Sequence, residues 1–112
     1  MGRGVAALVD AARAGAWGPG DGPPDVLAVV PPPFAPLRSD WALDSPHGAE
    51  ESARLGDAVR FALADRDCRV LDLAGIAAST PLDGIHFDAE EHRKIGLAVA
   101  AELREMLPAL AR

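Results

Sequence analysis

The residues able to do acid–base chemistry gather in one stretch, Pro81 to Gly96, where a tight loop runs directly into a helical pattern. Asp83 precedes His86 by three residues, with Gly84 between them. A glycine there lets the loop fold back far enough to bring the carboxylate onto the imidazole. One ring nitrogen would then donate to Asp83 and leave the other free to accept a proton, which is the base-and-orienter half of a nucleophilic site. Asp88 and Glu91 match a capping box, in which each side chain bonds the other's backbone N–H, so His86 is expected just before a firmly started helix. The same residue types also build ordinary turns, in which the histidine would bond local backbone. Spacing alone leaves both readings open.

The wider block, Asp83-Gly84-Ile85-His86-Phe87-Asp88-Ala89-Glu90 followed by His92, Ile95-Gly96 and Ala98-Val99-Ala100, resembles the last conserved block of the SGNH hydrolases, the GDSL-type esterases and acyltransferases. The resemblance implies that His86 is a catalytic base and Asp83 its acid partner, with neither cofactor nor metal. Upstream, Val26-Leu27-Ala28-Val29-Val30-Pro31-Pro32-Pro33 is similar to the family strand that leads into a substrate-side loop, above all in arylesterase-like bacterial members. The family's opening blocks are missing. No Gly-Asp-Ser-Leu supplies a nucleophilic serine, no Gly-x-Asn-Asp supplies an oxyanion-hole asparagine, and the sequence holds no asparagine at all. Residues 1–112 therefore read as the C-terminal part of a single SGNH-type domain, starting just after the Gly-x-Asn-Asp block.

The elements that must position the loop follow in chain order. Residues 3–14 carry Val5, Leu8, Val9 and Ala12 at the spacing of an amphipathic helix. Gly and Pro at 18–24 make a loop in which Trp17 is expected to anchor by burying its ring. Asp25 to Val30 is a short Val-rich run, the signature of a strand buried on both faces. Pro31 to Pro33 force an extended exit into a long loop, 34–48. Loops at the C-terminal ends of strands hold the ligands of open α/β sheets, so Phe34, Leu37 and Trp41 are candidates for lining an acyl or alcohol pocket, or for a subunit contact. His47 reads as an exposed loop histidine.

A second helix is expected over 49–65, with Ala53, Gly56, Val59, Phe61 and Leu63 interrupting its charged face, and a second strand over 69–73. Asp72 in that strand is expected to point to solvent or to cap the turn at Ala74-Gly75, with the site as the other direction open to it. Ser79 and Thr80 lie in no nucleophile setting. The last helix, 89–110, would bury Ile95, Val99, Leu103, Met106 and Leu110, with Pro108 fraying its end. This alternation implies an α/β fold, a partial three-layer αβα sandwich with a short parallel sheet, SGNH- or flavodoxin-like.

At 112 residues and a formal charge of −6, the chain allows one domain with a modest core. Its acidity argues against nucleic acid and anionic membranes, which attract Lys and Arg. Cys68 is the single cysteine, so no internal disulfide forms, and it reads as a small buried hydrophobe at a strand edge. No apolar run is long enough to span a bilayer, which points to a soluble, cytoplasmic protein. A small ester is the expected substrate, and a second copy of the chain or a missing N-terminal half the expected partner. Two readings compete with an ester hydrolase. One is a non-catalytic binding module that uses Phe34, Leu37 and Trp41 as its contact patch. The other is a metal site built from His86, Asp88 and His92.

Overall fold

Small residues decide where the first helix packs. In the computed structural model, which describes residues 1–37 and 45–107, α1 (Gly2–Arg13) buries Gly2, Ala6 and Val9. A side chain at Gly2 would stand 2.7 Å from the carbonyl oxygen of Ala58, so the closest approach of the helices requires the glycine. Leu8, expected on the buried face, is exposed, because the seam runs along the small residues rather than the large one. Trp17 is likewise 72% exposed. It anchors by its polar end, the indole N–H donating to Ala12 O at 2.8 Å, and so closes the C-terminal turn of α1.

α1 packs on α3 (Leu55–Leu63), which follows the short α2 (Gly48–Ala53), two helices where one is expected from the pattern over 49–65. The break has a local cause. Ser52 Oγ donates to Ala49 O at 2.9 Å, a side-chain bond to the preceding turn that bends helices, and Arg54 N–H then bonds Glu51 O in the tighter i−3 manner. Beyond the break α3 buries Gly56, Val59 and Leu63. Phe61, expected among these, falls on the outer face and is 88% exposed.

β1 (Leu27–Val30) and β2 (Arg69–Asp72) pair in parallel, with Leu27 opposite Arg69 and Val30 opposite Asp72. The crossover between them runs through α2 and α3, a βαβ unit. Ala28 and Val30 face α1 and α3, where Ala6, Val9, Val30, Val59 and Leu63 form the core. Each Val or Leu side chain among them contributes about 1.5–3 kcal/mol of burial free energy when fully enclosed. On the other face lie Val29 and its partner Leu71. Leu71 is buried but Val29 is 42% exposed, so β1 is covered on one face, not on both.

The last helix, α4 (Ala89–Met106), is tied to that second face by Arg69, which reaches Glu102 at 2.9 Å and Glu105 at 2.7 Å. Helices thus lie on both faces of the short parallel sheet, the expected α/β arrangement in three layers. The stripe Ile95, Val99, Leu103 and Met106 is only half-buried, and no residue of α4 is fully buried. Leu110 and Pro108 lie outside the described residues. No described helix is long and apolar enough to cross a membrane.

Candidate active site

β2 delivers the chain to a turn held by Asp72, whose Oδ1 accepts Ala74 N–H at 3.0 Å while Oδ2 accepts from Arg60 at 2.6 Å. Of the directions open to Asp72, capping the turn is the one it takes. From there residues 76–80 climb to a closed loop. Thr80 N–H donates to His86 O at 2.7 Å, and Gly84 N–H donates to Thr80 O at 2.8 Å. Gly84 has φ +83 and would bring a Cβ within 2.7 Å of Ala35 O and 2.8 Å of Pro36 O. Its carbonyl accepts Ala35 N–H at 3.0 Å. The loop following β1 is therefore seated against Gly84, and only glycine permits both the left-handed backbone and the approach.

Within this ring Asp83 folds back on the backbone that follows it. Oδ1 accepts the N–H of Ile85 at 2.8 Å and of His86 at 3.0 Å, an Asx turn, and Oδ2 meets His86 Nδ1 at 2.5 Å. The Ile85 N–H, the His86 N–H and then the His86 ring hold the carboxyl down at about 2, from an ordinary value of 3.8. An ionised carboxylate can only accept, so Nδ1 carries the proton and Nε2 is left as the acceptor of a neutral imidazole. The ring itself is 72% exposed, accessible to a reacting group. The turn reading holds for the aspartate, which bonds the backbone that follows it, and not for the histidine ring, which bonds the carboxylate rather than local backbone.

The helix behind the ring starts as expected in one half only. Asp88 Oδ1 accepts Glu91 N–H at 3.0 Å, but Glu91 does not return the bond. Its Oε2 accepts Ala78 N–H at 2.9 Å and its Oε1 accepts from Lys94 at 2.8 Å. Asp88 is thereby spent on the cap, and His92 stacks edge-on to Phe87 at 5.7 Å. His86, Asp88 and His92 do not converge as the metal reading requires, and no group of three His, Cys, Asp or Glu suited to a metal occurs among the described residues.

The candidate pocket residues are partly gathered. Phe34 lines a cavity of about 510 Å³ with Pro31, Pro32, Ser52, Leu55 and Ala58, and its N–H donates to Ser52 Oγ at 2.9 Å. Leu37 packs against Gly48, whose added Cβ would lie 3.0 Å from Leu37 Cδ1. Trp41 lies outside the described residues. Neither Asp83 nor His86 lines that cavity; it adjoins their loop through Ala35. Ser79 is buried, with its hydroxyl 3.5 Å from Pro33 O. Cys68 is half-buried, and burial pushes its thiol up. His47 is exposed at the start of α2.

No protein-family model and no curated protein matches the chain. Solved structures do. An aryl esterase from Mycobacterium smegmatis superposes with a TM-score of 0.86 at 28% identity over 96% of this chain and 51% of its own. A carbohydrate acetylesterase from Sinorhizobium meliloti gives 0.86 at 26% identity over 96% and 51%. A carbohydrate acetylesterase family member from the same organism gives 0.82 at 32% identity, again over 96% and 51%. The chain shares its fold with these esterases, which belong to the SGNH hydrolase superfamily. It spans about half the length of these structural relatives.

Proposed function

We propose that this chain supplies the acid–base half of an SGNH-type carboxylic-ester hydrolase, and that residues 1–112 act as the C-terminal part of one such domain. One observation carries the reading: His86 Nδ1 donates to the ionised Asp83 carboxylate at 2.5 Å, which leaves Nε2 as a base on an exposed ring. A serine from the superfamily's Gly-Asp-Ser-Leu block, outside these residues, would attack the acyl carbon. His86 would take the serine proton at Nε2 and return it to the departing alkoxide, and Asp83 would stabilise the imidazolium between the two transfers. An alcohol in place of water at the second step would make the same site an acyltransferase. The aryl and carbohydrate esterases among the structural relatives favour a short-chain ester as substrate. Phe34, with Leu37 and Trp41 on the same loop, is the proposed wall for its apolar part.

A second reading has its own support. The cavity beside Phe34 is lined by neither Asp83 nor His86, as a binding module using that loop would have it. The first test is the chain alone against an activated short-chain aryl ester. Removing the serine from a triad removes nearly all its catalysis, because the members act together. We therefore expect no saturable hydrolysis. Turnover that survives purification and vanishes in His86→Ala would reveal a nucleophile inside these residues and overturn the division of roles proposed here.

A further inference from the structure

Glu91 sits where a capping box would turn its carboxylate back on the start of its own helix, yet the side chain leaves the helix. It is 16% exposed, accepts Ala78 N–H at 2.9 Å through Oε2 and is steadied by Lys94 at 2.8 Å through Oε1. Ala78 is two residues before Thr80, whose N–H holds His86 O at 2.7 Å and whose carbonyl holds Gly84 N–H at 2.8 Å. Both limbs of the histidine loop are thus fastened to the first turn of α4. The outgoing limb is continuous with the Asp88 cap, and the incoming limb is held by Glu91.

We infer that Glu91 is a positioning residue for His86: its bond to Ala78 N–H fixes the incoming limb of the loop, and through Thr80 the place from which His86 meets Asp83. The inference rests on His86 as the base of the proposed site, but it concerns a bond that exists whether or not a serine is present. A single oxygen of a flexible acid performs the fastening, and the carboxylate has the reach for it only as glutamate. Aspartate, one methylene shorter, keeps the charge and the helix start while withdrawing from Ala78.

The test uses the ¹⁵N-labelled 112-residue chain and reads the His86 ring by NMR. In the wild type we expect an Nδ1–H tautomer with a downfield proton signal. Glu91→Asp and Glu91→Ala should both lose that signal and show mixed tautomers, and Glu91→Gln, which keeps an acceptor oxygen, should retain it. Lys94→Ala and Asp88→Ala, which remove the steadying charge and the helix cap, should also retain it. Persistence of the signal in Glu91→Asp, or its equal loss in Asp88→Ala, would overturn the inference. A wild-type ring with no Nδ1–H signal would instead overturn the Asp83–His86 pairing, and the base assignment along with it.

Discussion

At the scale of single residues the site depends on one glycine and one aspartate. Gly84→Ala would place a methyl group 2.7 Å from Ala35 O at a φ of +83. The left-handed backbone alone costs about 1–2 kcal/mol for an L-residue, and the collision adds to it. A lowered melting temperature and loss of the His86 Nδ1–H signal are expected together; an unchanged melt would mean that the two loops are not seated on each other. Asp83 sets the acid limit. Its carboxyl is held at about 2 in the folded chain against 3.8 ordinarily. A depressed value stabilises the loop fully above the unfolded value, and that contribution disappears as pH falls from about 4 through about 2. The Ile85 and His86 amides should stay protected from exchange down to that window, and opening already at pH 5 would contradict the Asx turn. The Asp83–His86 pair was legible in the sequence from its spacing taken together with the wider block's resemblance to the SGNH hydrolases, since the spacing alone leaves an ordinary turn open. The role of Glu91 was not. A capping box counts positions along one helix, and the competing donor, Ala78 N–H, comes from a segment outside it.

At the scale of elements, sequence periodicity identified both strands and the α-helical stretches of the described residues by type, though the short 3-10 turn at Pro19–Asp21 reads as loop and 49–65 as a single helix. It failed where a neighbour decided the outcome. The break between α2 and α3 follows from Ser52, whose hydroxyl donates to Ala49 O and accepts Phe34 N–H, a contact from 18 residues upstream that no helical period announces. Spacing puts Leu8 on the apolar face of the first helix and Phe61 among the apolar residues of the second, whereas α1 and α3 meet along Gly2 and Ala58 and leave both exposed. Ser52→Ala leaves the part-buried Phe34 N–H without its acceptor, at a cost of about 1–3 kcal/mol. A lower thermal midpoint and chemical-shift changes on Phe34 and Ala35 should follow. Wild-type stability in this variant would show that the hydroxyl does not tie the loop after β1 to α2.

At the scale of the whole molecule, the described residues form a sheet of two strands with Val29 open on one face and α4 only half-covered. The radius of gyration is 16.0 Å, against ~13 Å for a compact domain of about 100 residues. The structural relatives are about twice as long. Unpaired strand edges and uncovered apolar faces favour association with other chains. The isolated chain should therefore unfold at low temperature with a broad transition, and should sediment as a concentration-dependent mixture. A sharp, monomeric transition would mark a self-sufficient domain and favour the binding-module reading. The most direct test of the central claim is ester hydrolysis after the chain is combined with a fragment carrying the superfamily's Gly-Asp-Ser-Leu and Gly-x-Asn-Asp blocks. Wild-type chain should restore turnover of an activated acetyl ester, and His86→Ala should lower it by roughly 10⁴-fold or more, with Asp83→Asn close behind. Restored hydrolysis that persists undiminished in His86→Ala would contradict the account.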